Sequence, residues 1–142
     1  MKISLIVATF VVSLLLGGLL VVPAGFAQPQ EEDQTEKIRS EARQMFMRGK
    51  LMNNQNIVEG LSLKNFDLIQ EGATAVVGLV KGQHWFVLDT PEYRRYSEDM
   101  TMAAQRLHDA AKDGNIEAAA LRYFDLTLTC IDCHLYLETV GY

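Results

Sequence analysis

The stretch TPEYRRYSEDMTMAAQRLHDAAKDGNIEAAALRYFDLTLTCIDCHLYLET, residues 90–139, decides the fold. Thr90-Pro91-Glu92 is a helix start: a capping hydroxyl, a proline at the first helical position and an acid in the first turn. Tyr93, Tyr96, Met100, Ala103, Ala104, Leu107 and Ala111 then recur three and four residues apart, the spacing of one helix face. The pattern predicts a helix to about residue 112. Asp113-Gly114-Asn115 reads as a turn, and Asn115 is placed to cap a last helix over 116–138. Two long helices joined by a few residues must lie side by side and antiparallel.

The residues ahead of this pair repeat the theme. Ser62 is a candidate N-cap for a helix over 63–81, with Phe66, Ile69, Ala73, Val76, Val77 and Val80 on its buried face. Gly72 and Gly78 lower its propensity and suit close packing, and Gly82 ends it. A first helix is predicted over 33–59, about 40 Å long, with Gly60 as its stop. Its main apolar stripe is Ile38, Ala42, Met45, Gly49 and Met52; a second stripe is Met47, Leu51 and Val58. Glu41, Gln44, Arg48 and Gln55 gather between them. Residues 83–89, with His84, Trp85 and Phe86, form the connection to Thr90. The strand-like alternation and hairpin turns of a β fold are missing. The expected architecture is all-α, an antiparallel four-helix bundle spanning 33–142.

Residues 1–27 are of another kind. Lys2 is their only charge, and residues 3–22 are apolar apart from small residues. Gly25 and Ala27 fit the small-residue positions of a signal-peptidase site. The segment reads as an export signal, followed by a polar linker over 28–32. Left uncleaved, the same run is long enough to anchor the domain, since about 20 apolar residues span a bilayer. Either way the expected location is periplasmic, where thiols escape the reducing cytoplasm.

Composition narrows the partners. The chain of 142 residues carries a net charge of −5, and residues 28–142 hold all 18 acids and all but one of the 13 bases. An acidic surface is unsuited to nucleic acid, which needs a basic face. Two cysteines exclude a disulfide-rich scaffold.

Those two cysteines stand in Cys130-Ile131-Asp132-Cys133-His134, a C-x-x-C-H motif. On a helix, residues three and four apart share a face, so Cys130, Cys133 and His134 can meet one porphyrin. The motif is the attachment signature of c-type haem, with the thiols forming thioethers and the imidazole reaching the iron. A redox C-x-x-C of the thioredoxin type expects a βαβ context. A structural zinc site expects four ligands, and only His84 and His108 remain, with no third cysteine. A Cys130–Cys133 disulfide leaves His134 unexplained. One covalent haem c accounts for all three residues.

A helical bundle with C-x-x-C-H in its last helix, behind an export signal, resembles the class II cytochromes c, the cytochrome c prime family and its low-spin relatives. The resemblance covers about residues 33–138. Trp85, between the second and third helices, is similar to a tryptophan often found there. Arg43-Gln44-Met45-Phe46-Met47 resembles the family's Arg-x-x-x-hydrophobe element. The resemblance implies that Arg43 lies near a haem propionate and that Met47 faces the distal side of the iron. One departure is plain. The family has Tyr and Arg three and four residues after the haem histidine; here those positions hold Leu137 and Glu138, and the tyrosine is Tyr136.

The sixth iron position separates two functions. A thioether there, from Met47, gives a low-spin iron suited to one-electron transfer; an open position accepts NO or CO. Met47 can equally be core filling over the haem, because Met is a common gap filler. Met45 and Met52 sit on the main stripe, Met100 on the third helix's inner face, and Met102 points elsewhere. His84 and His108 offer a bis-His alternative. Arg43 is a propionate partner or an exposed helix charge. Tyr123 and Thr127 share the Cys130 face.

The leading expectation is an exported monohaem electron carrier, not an enzyme, with a basic redox partner drawn by the acidic surface. Gas binding at a five-coordinate iron is the second, and a helical interaction module without haem the third. The resemblance also implies a homodimer through the first two helices. The second apolar stripe suits that contact or a haem.

Overall fold

The computed structural model describes residues 28–82 and 88–141. The expected export signal (1–27) and the segment 83–87, which holds His84, Trp85 and Phe86, lie outside the described residues. Four helices make up the fold: α1 Gln28–Leu63, α2 Phe66–Gly82, α3 Pro91–Lys112 and α4 Ile116–Thr139. No strand occurs among the described residues. The chain divides after Thr35, and the helical bundle is the unit Glu36–Tyr142. No helix among the described residues is long and apolar enough to cross a membrane.

The α3–α4 pair forms as its sequence dictates. Thr90 Oγ1 accepts from the Tyr93 amide at 3.1 Å, and Asn115 Oδ1 accepts from the Ala118 amide at 2.9 Å. Each cap satisfies a donor that a helix start leaves unpaired. Gly114 turns the chain with φ +67°, a left-handed conformation that costs glycine little. Tyr93, Met100, Ala103, Ala104, Leu107 and Ala111 are buried, as the spacing requires. At the opposite end Tyr136 Oη and Thr90 Oγ1 share a hydrogen bond at 2.9 Å. The start of α3 is thereby fastened to the end of α4. The inner face of α2 is Ile69, Ala73, Val76 and Val80, all buried, with Phe66 and Val77 packed beside them. Leu107, Leu126, Ile57 and Ile69 lose all contact with solvent. Each contributes about 1.5–3 kcal/mol by burial.

The α1–α2 pair is set by glycines. A Cβ on Gly72 would stand 2.7 Å from Ile57 Cγ1, and one on Gly60 would stand 2.8 Å from Ile69 Cγ1. Each helix thus offers a glycine to the other's isoleucine, in antiparallel register. Gly49 adds a looser contact to Leu79 at 3.2 Å. Gly60 is therefore a contact residue inside α1, not its stop. The chain turns instead at Lys64, whose φ is +52°. Ser62 does not cap α2: it lies within α1 and its hydroxyl donates to the Val58 carbonyl at 2.8 Å. The cap is Asn65, whose Oδ1 accepts from the Leu68 amide at 3.2 Å.

Residues 28–32 form the first turns of α1. Pro29 is tolerated there because a first-turn N–H would be unpaired anyway, and Glu32 and Asp33 favour a helix N-terminus. A further expectation fails in α1: the main apolar stripe is not the core face, since Ile38, Met45 and Met52 are 52%, 69% and 63% exposed. The residues turned inward are Phe46, Lys50, Ile57 and Gly60, with Asn53 half-buried among them. Their spacing is again four and three, but two of the five are polar.

The glycines give a test with opposite signs. Gly72→Ala is expected to destabilise the protein by about 1–3 kcal/mol through overpacking against Ile57. Gly78→Ala meets open space and should stabilise by about 0.5–1 kcal/mol through helix propensity. Urea unfolding of both variants reads the difference.

Candidate functional site

The last turns of α4 carry the motif. Cys133 is buried in a small cluster with Tyr93 and Leu137, against which Leu88, Tyr96 and Tyr136 pack. The Tyr96 and Tyr136 rings lie 5.2 Å apart. Tyr136 thus holds this turn twice, by ring packing and by its bond to Thr90. Cys130, one turn earlier, is half-buried, and its thiol donates to the Leu126 carbonyl at 3.4 Å. Both thiols are free. His134 is exposed.

Cys130, Cys133 and His134 open on one cavity of about 480 Å³ between α1, α3 and α4. That volume is within the range of small-molecule sites, about 300–1,000 Å³. Tyr123 and Thr127 line the same wall, as their shared face with Cys130 requires. Met100 lines it from α3, and Met47, Leu51 and Asn54 from α1. His134 also borders a shallow groove on the outer side of α4 with Ile131, Leu135 and Glu138. The three motif residues are strung along one helical turn, not gathered around a point. Among the described residues no three His, Cys, Asp or Glu side chains converge as a metal-ion site.

Of the residues singled out by sequence, Met47 is half-buried and lines the cavity. Arg43, one turn earlier, pairs with Glu36 at 2.7 Å and is not among the lining residues. The hydrogen bond from Arg43 holds the Glu36 carboxyl below its ordinary pKa. The arginine that borders the cavity is Arg48. His108 is half-buried on α3, its Nδ1 3.2 Å from Asp109 Oδ1 and away from the cavity. Met100 is buried as expected and exposed Met102 points elsewhere.

No family model matches this chain, and no curated protein or solved structure matches it.

One residue of the site was not legible. Lys50 is only 9% exposed and lines the cavity opposite the thiols. Its Nζ sits 4.2 Å from the centre of the Phe46 ring, a cation–π contact. Burial lowers its pKa, while the two cysteines beside it act the other way. Burial in turn raises both thiols, and the Lys50 charge opposes the rise. A lysine is rarely buried without a partner, so hydropathy does not find it. Its spacing from Phe46, Asn53 and Ile57 does.

The thiol shifts have a readout in chain without cofactor. A raised pKa means the folded thiols stay protonated where an unfolded chain's, near 8.5, have begun to ionise. The thiolate is the nucleophile. At pH 8.5 alkylation of the folded chain should run slower than in denaturant, and keep accelerating at higher pH. Equal rates in the two states would contradict the burial.

Proposed function

We propose that this protein is an exported monohaem c-type cytochrome that carries single electrons. The observation that carries the reading is the meeting of the chain's only two cysteines, both free, with His134 at one cavity. The residues fit the group. Two sulfurs are spaced for two thioethers, an imidazole follows on the next residue, and the wall includes Met47, Leu51, Met100 and Tyr123. The lining also includes two cations, Arg48 and Lys50, and no carboxylate, on a chain whose net charge is −5. A positive recess in an acidic protein suits a group with two propionates.

A bound haem would supply one-electron chemistry at its iron. The chain's part is to hold and tune it. Cys130 and Cys133 would hold the group covalently, and His134 would offer its imidazole to the iron. The burial of Cys133 and the Tyr136–Thr90 bond keep that turn of α4 rigid. Met47, on α1, would offer its thioether to the iron from the same cavity. Arg48 lines the cavity and is available to a propionate, a group that Arg pairs with bidentately, while Arg43 is engaged by Glu36. Residues 1–27 direct export to the periplasm, and a basic partner docks by electrostatic steering that salt weakens.

The ferrous optical spectrum of protein matured by a c-type haem-attachment apparatus tests this reading. Low-spin bands that persist under CO are expected. A high-spin spectrum with ready CO binding would replace electron transfer with gas binding. Met47→Leu is expected to open the sixth position, giving a high-spin iron that binds CO; an unchanged spectrum would remove Met47 from the iron.

A further inference from the structure

Lys50 is a charge in an unusual place. It belongs to the buried seam of α1, faces the wall formed by Cys130 and Cys133, and is nine-tenths covered. No carboxylate among the described residues makes an ion pair with it. Its visible company is the Phe46 ring, at 4.2 Å, and the two sulfurs that oppose its downward pKa shift. A buried ammonium is costly, and its position beside the attachment cysteines calls for a use.

We propose that Lys50 is a positioning charge that raises the reduction potential of the iron held by His134. The inference rests on the haem reading above. Reduction adds one negative charge to the site, and a cation on the same cavity wall stabilises the reduced state over the oxidised one. A low-dielectric wall leaves the interaction weakly screened. Burial and nearby charge are among the levers by which a protein sets a haem potential. The contribution is one of charge, not of shape, which separates it from packing. Lys50→Arg keeps the charge; Lys50→Gln and Lys50→Met remove it, and Met keeps an unbranched apolar stem of similar length.

The test is a potentiometric titration of the full chain, matured with covalent haem, for the native protein and the three variants. Optical spectra are recorded in both oxidation states. Both neutral variants should be about tenfold weaker electron acceptors, a fall of about 59 mV for one electron. Their spectra should be unchanged, and Lys50→Arg should stay near the native potential. If Lys50→Gln fails to mature, Lys50→Met carries the measurement. Equal potentials in all four proteins would overturn the role of Lys50 and leave the haem reading intact. A lost or altered low-spin spectrum in the neutral variants would place the amine on the iron itself and overturn the electrostatic role. A native chain that acquires no covalent haem would overturn the haem reading, and the inference with it.

Discussion

A helix brings residues three and four apart to one face, and the candidate site depends on that constraint acting in α4. It gathers two thiols and an imidazole on one turn without a loop or a second strand of chain. The turn must then be held still. Burying Cys133 between Tyr93 and Leu137 does this from within. The Tyr136–Thr90 bond does it from α3, through the hydroxyl that also caps that helix. One threonine therefore serves two ends of the hairpin. The motif's geometry and the bundle's closure are the same piece of structure.

The opposite wall is supplied by α1, whose position is set elsewhere. The reciprocal glycine–isoleucine contacts bring α1 and α2 close together. That approach fixes which residues of α1 can look inward. The result is a seam of Phe46, Lys50, Asn53, Ile57 and Gly60. Polar residues sit at its middle, beside the cavity. Apolar side chains that would pack a plain bundle core, Met45 and Met52, are left outside.

Helices α2 and α3 could be read from sequence because burial and hydropathy agree in them. Thr90, Asn115 and the faces of α2 and α3 follow from capping chemistry and a 3.6-residue period. The C-x-x-C-H motif is local, so its meeting on one turn needed only the helix. In α1 the two signals disagree. Two apolar stripes flank the true inner face, and each looks more hydrophobic than the seam between them. Ile38, Met45 and Met52 make one side the more apolar, and Lys50 and Asn53 make the centre polar. Gly60 misled for a related reason: a glycine required by a tertiary contact has the same letter as one that ends a helix. Lys50 escaped because its burial depends on a wall built from α4, eighty residues on in the chain.

The proposed attachment of one haem to Cys130 and Cys133 can be weighed. The direct measurement is the intact mass of the chain matured by a c-type haem-attachment apparatus, with thiol alkylation in denaturant. The account requires a mass increased by one haem and no thiol left to alkylate. An unmodified chain with both thiols reactive would contradict it.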